Sequence, residues 1–320
     1  MEIAERLDAV LSAGQARNVH GVVVVERGER VAERYGAGED FRLNESLGHV
    51  TFDADTPHDL RSITKSVVGL LYGIALGDGL VPDPRARLLE PFPEHRDLAE
   101  DPARAALTVE HALTMTLGLA WDESAPYTST ANSEIAMEYA PDRYRYVLER
   151  PIVEEPGTRW AYCGGATALL GKIIARGAGR PLDEYAARVL FEPLGIGGFD
   201  WTRGADGAPL AAAGLRLRPR DLAAIGGLLL RRGDGVVPEK WLEEMLRPRV
   251  PISGERHYGY HWYVDTGEPA AVMATGNGGQ CLLVVPSREL VVAVTAGAYD
   301  ASDRAGTAAV LDAVLRGRAG

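Results

Sequence analysis

The chain has 320 residues, of which 46% are hydrophobic and 25% charged, enough to bury a large core in one big domain or two interleaved ones. Its formal net charge of -11 repels phosphate backbones and anionic lipid, which argues against nucleic acid and membrane surfaces as partners. No apolar run approaches the length of a membrane span, and no signal-peptide core is visible, so we expect a cytoplasmic protein. The sequence does not indicate the oligomeric state.

The first part of the chain predicts a helix and then a hairpin. Residues 3–13 have the apolar spacing of an amphipathic helix. Two runs with strand character follow, Val19–Val25 and Arg30–Tyr35, and a short polar turn separates them. A polar stretch containing Gly36 and Gly38 comes next.

The middle of the chain predicts helices. Residues 62–76 are strongly apolar and are followed by Gly77-Asp78-Gly79, which is typical of a helix end. From there to about residue 230 the pattern is one of helical segments joined by Pro- and Gly-rich connections. The clearest of these segments are 108–116, 165–177, 181–190 and 219–232.

The last third of the chain changes to strands. Four runs separated by turn residues have strand character, and a final helix is predicted over about 302–315. These runs are Tyr258–Val264, Ala271–Thr275, Cys281–Val285 and Leu290–Thr295.

Strands at both ends and helices in the middle predict an α+β fold. The economical arrangement is one antiparallel sheet built from both ends of the chain, flanked by the terminal helices, with an inserted helical lobe. We place the sheet lobe at residues 1–61 and 233–320 and the helical lobe at 62–232. The active site is then expected in the cleft between the lobes.

The segment that opens the apolar helix contains Ser62 and Lys65 in a Ser-x-x-Lys pattern. Positions i and i+3 of a helix lie on one face, so the lysine amine can reach the serine hydroxyl. Burial disfavours the ammonium form, which predicts a lowered lysine pKa, a neutral amine and a base for Ser62. The helix dipole and the free N–H of Ser62 would further favour negative charge at this point.

Coincidence is the alternative explanation of this pattern. With the serines and the three lysines of this chain, a chance Ser-x-x-Lys is about a one-in-ten event. The position at the start of a buried helix favours the catalytic interpretation, because lysine is rarely buried without a partner.

Two further segments have the composition of an active site. Tyr162 follows a Pro-Gly turn and precedes a glycine pair that opens a helix, so it can project into a cleft; an ordinary half-buried tyrosine is the alternative. The turn Thr275-Gly276-Asn277-Gly278-Gly279 lets a ligand approach the backbone beside a strand, and a simple turn is its alternative.

Other chemical signatures are missing from the sequence. There is no G-x-S-x-G elbow, H-E-x-x-H motif, P-loop or dinucleotide fingerprint. The histidines do not cluster at metal-ligand spacing, and His257 and His261 lie in a strand pattern. Cys163 and Cys281 lie outside any metal-ligand spacing and are predicted to be buried thiols.

Three motifs follow one another in an order that resembles the serine β-lactamase and DD-peptidase superfamily. They are Ser62-x-x-Lys65, Tyr162 and the glycine-rich turn at 276–279. The likeness covers roughly residues 18–300 and is strongest to the class C-like branch of 6-aminohexanoate-dimer hydrolases and carboxylesterases. Supporting segments are His58-Asp59-Leu60-Arg61-Ser62, Leu113–Leu119, Phe191–Ile196, Tyr258-Gly259-Tyr260 and Gly278-Gly279-Gln280.

This resemblance implies a serine hydrolase that forms an acyl-enzyme on Ser62. Lys65 and Tyr162 would relay protons, and the N–H groups of Ser62 and Asn277 would form the oxyanion hole. The substrate would be a small ester or amide, and no metal or organic cofactor would be needed. Candidate pocket walls and substrate contacts, where an aromatic residue is equally typical of a core, are Trp121, Asp122, Tyr127, Trp262, Thr275 and Gly276.

The departures from the superfamily pattern concern substrate recognition. The second motif, Tyr-x-Asn, reads Tyr162-Cys163-Gly164 here, and the third motif has Ala274 where a lysine or histidine is usual. That cation would bind the carboxylate of penicillins, so β-lactams are expected to be poor substrates. Three rivals stay open: a β-lactamase or DD-peptidase of the same fold, an acyltransferase, and a non-catalytic binding protein.

Overall fold

The computed structural model of the protein describes residues 2–300 and 304–316. The helices are α1 (Ile3–Ser12), α2 (Ile63–Gly77), α3 (Pro102–Ala105), α4 (Val109–Leu113), α5 (Ser133–Glu138), α6 (Arg143–Leu148), α7 (Gly164–Ala178), α8 (Leu182–Ala186), α9 (Pro219–Leu230), α10 (Glu239–Met245) and α11 (Ala305–Leu315). The strands are β1 (Val19–Glu26), β2 (Glu29–Tyr35), β3 (Ala37–Arg42), β4 (Glu45–Thr51), β5 (His58–Asp59), β6 (Asp200–Trp201), β7 (Leu215–Leu217), β8 (Val250–Ser253), β9 (Arg256–Tyr258), β10 (Tyr263–Asp265), β11 (Ala271–Gly276), β12 (Gln280–Val285) and β13 (Leu290–Ala296).

The two ends of the chain build one antiparallel sheet. Its strand order within the described residues is β2-β1-β13-β12-β11-β10-β9-β8, so the N-terminal hairpin joins the C-terminal strands where β1 pairs with β13. Strands β12 and β13 are buried at every position because helices cover both faces of the sheet. The predicted α+β class and the antiparallel sheet from both ends are confirmed.

Each face of the sheet has its own helical cover. On one face α1 and α11 pack together, and Leu7 and Val310 are buried there against Val22 and Val292. On the other face α9 lies on β1, β12 and β13, and α2 lies on β11 and β12. Helix α9 belongs to the segment assigned to the helical lobe, yet it packs on the sheet. The boundary between the two lobes at residue 232 therefore stays a prediction, and the packing of α9 on the sheet does not support it.

Helix α2 joins the sheet to the helical region. It packs against α7 as well as the sheet, and most of its side chains are buried. That double burial explains why its sequence is apolar around the whole helix rather than on one stripe. The residues at the start of α2 are consequently held between the sheet and the helices.

The segment Tyr258–Val264 is not one strand, contrary to the prediction. The chain leaves β9 at Gly259, whose N–H bonds the carbonyl of Trp262, and re-enters the sheet as β10. Between them, the N–H groups of Tyr260 and His261 bond the carbonyls of Met245 and Leu113 instead of a neighbouring strand. Bonds to loop carbonyls leave no local sequence signal, so periodicity alone could not show this break.

Other differences are small extensions or missed short elements. The polar stretch after residue 35 forms the hairpin of β3 and β4, whose strands are only partly buried and so lack an apolar pattern. The final helix begins at Ala305. The predicted residues 302 and 303 at its start lie outside the described part of the chain.

Candidate active site

Ser62 lies at the junction between strand β5 and helix α2. The Asp59 carboxylate accepts the N–H of Arg61 at 2.9 Å, and Arg61 adopts a φ of 50°. This sharp left-handed turn places Ser62 at the N-cap of α2 without any capping bond from its side chain. The hydroxyl is therefore left for chemistry, at the end of the helix where negative charge is favoured.

Lys65 is 1% exposed, and its ammonium group is fully coordinated by protein atoms. Its Nζ atom lies 3.1 Å from Oγ of Ser62, 3.0 Å from Oε2 of Glu134 and 2.7 Å from the carbonyl oxygen of Ala212. An ammonium group has three N–H donors, so each of these acceptors takes one of them. The predicted contact between Lys65 and Ser62 is present.

The charge of Lys65 differs from the prediction made from burial alone. Burial does act to lower the pKa of Lys65, but the charges of Glu134 and Glu123 outweigh it, and the pKa of Lys65 is raised above its ordinary value. This direction runs against the expectation of a neutral amine in the resting protein. The Ser-x-x-Lys pattern in an apolar helix predicts that the lysine is buried, but it does not show which carboxylate the lysine contacts.

Tyr162 lies beside both residues, in the connection before α7. The side chain of Tyr162 interacts with that of Ser62, and Nζ of Lys65 lies 5.1 Å from the centre of the Tyr162 ring. Burial raises the pKa of Tyr162 well above its ordinary value, so the resting side chain is a neutral phenol. Ser62, Lys65 and Tyr162 are thus brought into mutual contact, as the sequence predicted.

The glycine-rich turn approaches the start of α2 closely. A Cβ atom at Gly276 would clash with the carbonyl oxygen of Leu60 and would lie 3.0 Å from Cβ of Arg61. Only glycine lets the end of β11 come this near to Ser62. Asn277 follows, and its side chain is held by Asp300, which it contacts through Nδ2 at 2.6 Å and Oδ1 at 2.9 Å.

Two cavities meet at Ser62 and give the site room for both parts of a substrate. The larger has a volume of about 430 Å³ and the smaller about 60 Å³, and both are lined by Ser62, Tyr127 and Asn277. The larger also contains Tyr162 and Arg304. The smaller is walled mainly by apolar side chains, with two carboxylates, one guanidinium group and one further amide, namely Leu43, Ile135, Leu210, Ala212, Ala213, Glu134, Glu138, Arg61 and Asn44.

Three of the six expected substrate contacts line these cavities. Tyr127 lines both and donates its hydroxyl to Oε2 of Glu123 at 2.8 Å. Thr275 and Gly276 line the larger cavity.

The other three lie elsewhere. Trp262 is fully buried in the core and donates its indole N–H to the carbonyl of Ser66 at 3.3 Å. Trp121 donates to Oε1 of Glu123 at 2.6 Å, and Asp122 bonds its own loop, so neither lines the two cavities among the described residues. The apolar or acidic character of these three residues does not show whether each one lines a cavity or packs behind it.

Sequence reasoning missed the two carboxylates behind the site, Glu123 and Glu134. Oε1 of Glu123 accepts the backbone N–H of Gly164 at 2.6 Å, which fixes the chain next to Tyr162. Glu134 stands in the first turn of α5, where Asn132 caps the helix. The cap predicts a helix start, but nothing local predicts that Glu134 would meet Lys65.

Several global expectations can be compared with the described residues. Cys163 and Cys281 are both free and buried, as predicted. In residues 2–300 and 304–316, no three His, Cys, Asp or Glu side chains come together in a way that could hold a metal ion. Nor does this part of the chain contain a helix with the length and apolarity needed to cross a bilayer.

Solved structures share this fold over nearly the whole chain. EstCE1, a hydrolase with promiscuous acyltransferase activity, is 17% identical with a TM-score of 0.80, and 98% of each chain is covered. A penicillin-binding protein from Bacillus halodurans is 16% identical with a TM-score of 0.71, covering 96% of this chain and 98% of that one. A proposed 6-aminohexanoate-dimer hydrolase from Bacillus anthracis has a TM-score of 0.77 at 17% identity, covering 95% and 80%.

Sequence relatives include an esterase and an acyltransferase. Esterase EstB from Burkholderia gladioli is 28% identical over 205 residues, which is 61% of this chain and 50% of EstB. Monacolin J acid methylbutanoyltransferase from Aspergillus terreus is 27% identical over 206 residues, 59% of this chain and 49% of that protein. The matched regions span about half the length of these relatives. The Beta-lactamase family model matches residues 7–315, and the chain therefore belongs to the Beta-lactamase family.

Proposed function

We propose that this protein is a serine hydrolase that cleaves ester or amide bonds through an acyl-enzyme on Ser62. The observation that carries the proposal is the mutual contact of three groups. Lys65 Nζ lies 3.1 Å from Ser62 Oγ, and the Tyr162 side chain interacts with the same serine. A nucleophile flanked by two proton-transferring groups is the arrangement that covalent acyl transfer needs.

Acylation follows from these contacts. Ser62 Oγ attacks the substrate carbonyl as its proton passes to Lys65, which can accept it only in its neutral amine form. The backbone N–H groups of Ser62 and Asn277 are proposed to hold the oxyanion, at the end of the helix where negative charge is stabilised. Tyr162 then gives a proton to the leaving alcohol or amine as the carbonyl re-forms.

Deacylation uses the same groups in reverse. Water takes the place of the leaving group, Tyr162 removes its proton with the help of Lys65, and the hydroxide oxygen attacks the acyl carbonyl. The proton returns to Ser62 as the carboxylic acid departs. Two cavities at Ser62 can hold the acyl group and the group that leaves.

Acyl transfer to an alcohol or amine is the second candidate. EstCE1 combines hydrolase and acyltransferase activity, and another relative is a methylbutanoyltransferase. Both reactions share the acyl-enzyme and differ in whether water or another nucleophile enters the larger cavity. That cavity, of about 430 Å³, is large enough for a small organic acceptor.

A substrate panel tests the proposal. The purified protein is given p-nitrophenyl butyrate, a p-nitroanilide and nitrocefin, each with and without an added primary alcohol. We expect ester turnover above the uncatalysed rate, with butyric acid as the main product. If the butyrate ester of the added alcohol dominates instead, the acyltransferase candidate is correct, and absence of turnover on every acyl donor contradicts both.

A further inference from the structure

Glu134 is buried beside the proposed catalytic lysine. Its side chain is 7% exposed, and its Oε2 atom lies 3.0 Å from Nζ of Lys65, which is itself 2% exposed. A buried lysine without a counter-ion would be strongly disfavoured as an ammonium ion. Glu134 supplies that counter-ion, while burial raises the pKa of its own carboxyl to about 8.

Gly164 is the position that makes room for the Glu134 carboxylate. A Cβ atom built there would lie 2.7 Å from Cδ and 3.0 Å from Cγ of Glu134, and its nearest neighbour would be Oε2. These contacts are closer than real Cβ atoms show, so any side chain at 164 must displace the carboxylate. Gly164 is also the third residue of the Tyr162-Cys163-Gly164 segment, two positions after the tyrosine that contacts Ser62.

We propose that Glu134 is the positioning residue that sets the charge and orientation of Lys65, and that Gly164 is its obligatory partner because the carboxylate fills the space of a side chain there. The proposal deepens the proposed function, since the role of Lys65 as a proton carrier rests on it. The contact between Glu134 and Lys65 exists whether or not the substrate class is right.

The pair explains how a lysine that is charged at rest can still take the serine proton. The ammonium group of Lys65 transfers one proton to Glu134, which leaves a neutral amine next to a neutral carboxylic acid. The amine then accepts the proton of Ser62 as the serine attacks. The net charge of the pair stays at zero during the first transfer, so no isolated charge is buried.

Other titratable groups also face the pair and act on its charge. They are Glu123, Glu138, Tyr127, Tyr162, Tyr263 and His261. Glu138 provides a matched control, because it lies one turn further along α5 and pairs with Arg143 at 2.7 Å instead of Lys65.

The charge of Lys65 can be observed directly because the chain has three lysines, Lys65, Lys172 and Lys240. Protein labelled with ¹³Cε-lysine gives one resonance for each, and single Lys→Arg variants assign them. In the wild type we expect Lys65 to titrate above the ordinary pH range of a lysine side chain, because of the charge of Glu134. In Glu134→Gln we expect its pKa to fall by about one unit or more, because burial then acts without a counter-ion.

Activity supplies the second readout. The pH at which kcat/KM of Glu134→Gln rises should coincide with the lysine pKa seen in the spectrum of that variant. Glu134→Asp keeps the charge and should restore part of the wild-type lysine titration, whereas Glu138→Gln removes a carboxylate that does not contact Lys65 and should shift the titration much less than Glu134→Gln does. An unchanged Lys65 pKa in Glu134→Gln overturns the proposal. If the wild-type protein has no esterase activity, the proposed function is contradicted. The lysine titration still tests the role of Glu134 in that case.

Substitution of Gly164 tests the steric half of the proposal. We expect Gly164→Ala to lower the Lys65 pKa as Glu134→Gln does, and to lower the melting temperature. The double variant Glu134→Ala, Gly164→Ala removes the clash and should melt at a higher temperature than Gly164→Ala alone. Gly197→Ala is the control, because a Cβ there meets nothing within 4 Å. A Gly164→Ala protein with the wild-type lysine titration would show that Gly164 and Glu134 are independent.

Discussion

The Nζ atom of Lys65 lies 3.1 Å from the Oγ atom of Ser62, and this contact spans one turn of helix α2. The helix fixes the spacing, since residues i and i+3 share a face. The Ser62 hydroxyl makes no capping bond to the helix, so the contact with Lys65 is not a by-product of helix capping. The proposed chemistry therefore starts from a geometry that the helix itself imposes.

Removal of the nucleophile should abolish hydrolysis. We expect Ser62→Ala to lower ester turnover by on the order of 10⁴-fold or more while the melting temperature stays close to the wild-type value. Ser66→Ala is the matched control one turn later on α2, where the hydroxyl donates to the carbonyl of His261 at 2.6 Å. A Ser62→Ala protein that retains the rate of the Ser66→Ala protein would remove Ser62 from the mechanism.

Replacement of Lys65 by arginine should preserve the positive charge and lose the chemistry. A guanidinium group stays protonated and cannot accept the serine proton, so kcat should fall by about 10²–10⁴-fold. Lys172→Arg, which alters a lysine that lies 5.1 Å from the ring of Tyr144, should keep the wild-type rate. Stopped-flow measurement of acylation compares the two, and an active Lys65→Arg protein would assign the base role to Tyr162 or water.

Neutral or cationic substrates should be preferred to anionic ones. The superfamily resemblance assigns position 274 to a lysine or histidine that would bind a substrate carboxylate, whereas this chain has Ala274. The smaller cavity is lined by Glu134 and Glu138 as well as by Arg61. A carboxylate without a charged partner loses a hydrogen bond worth about 1.5–3 kcal/mol, which corresponds to tenfold or more in kcat/KM. Nitrocefin turnover above that of the best neutral ester would contradict this, and Arg304→Ala would show whether Arg304, which lines the larger cavity, supplies the missing cation.

Restoring a cation should shift this selectivity. Ala274→Lys is expected to raise the kcat/KM ratio of carboxylate-bearing to neutral esters by about tenfold. Ala274 is 1% exposed, so thermal unfolding must show that the variant still folds. Ala271→Lys on the same strand is the control, since alternate side chains of a strand point to opposite faces. An equal ratio in both variants would refute the assignment of position 274.

Acid should destabilise the protein through a buried pair of histidines. His58 donates Nδ1–H to the carbonyl of Asp59 at 3.0 Å, so its Nε2 accepts from Nδ1 of His20 at 2.9 Å and both rings are neutral. Burial lowers the pKa of His20 to about 4 and that of His58 to about 3. The stability they contribute is complete above pH 6.5 and is lost as the pH falls toward these values, because the unfolded histidines bind protons first.

The effect of one histidine can be isolated by difference. The unfolding free energy of the wild type minus that of His58→Gln should shrink by up to about 1.4 kcal/mol per pH unit below pH 6.5. His49→Gln is the control, because the His49 side chain is 66% exposed and pairs with Glu39. Urea titrations at pH 7 and pH 5 measure both, and a difference that is independent of pH would show that His58 is not held neutral.

Much of the fold follows from local pattern in the sequence. The apolar runs of β12 and β13 and the apolar helix α2 were predicted because each is buried on all sides, which gives a strong signal. The break at Gly259 was not predicted, because its backbone bonds go to distant segments. The β3–β4 hairpin was not predicted either, because its strands are only partly buried and lack an apolar pattern. The apolar pattern of the sequence therefore predicts buried helices and strands better than it predicts the turns between them.

The candidate site was predictable where its residues share one helix or one motif, and not where they meet across the fold. Ser62 and Lys65 are one turn apart, whereas Glu134 reaches Lys65 from a separate helix. That missing counter-ion is why burial alone predicted the wrong direction for the pKa of Lys65. Trp262 was an expected pocket wall for a similar reason, since nothing local shows that its ring faces the core.

Covalent labelling of Ser62 is the most direct measurement of whether an acyl-enzyme can form. The protein is incubated with a fluorophosphonate probe, its intact mass is recorded, and the labelled peptide is sequenced by mass spectrometry. We predict one probe per chain on Ser62, no labelling of Ser62→Ala, and wild-type labelling of Ser66→Ala. Absence of labelling on active protein, or labelling of a different residue, would contradict Ser62 as the nucleophile.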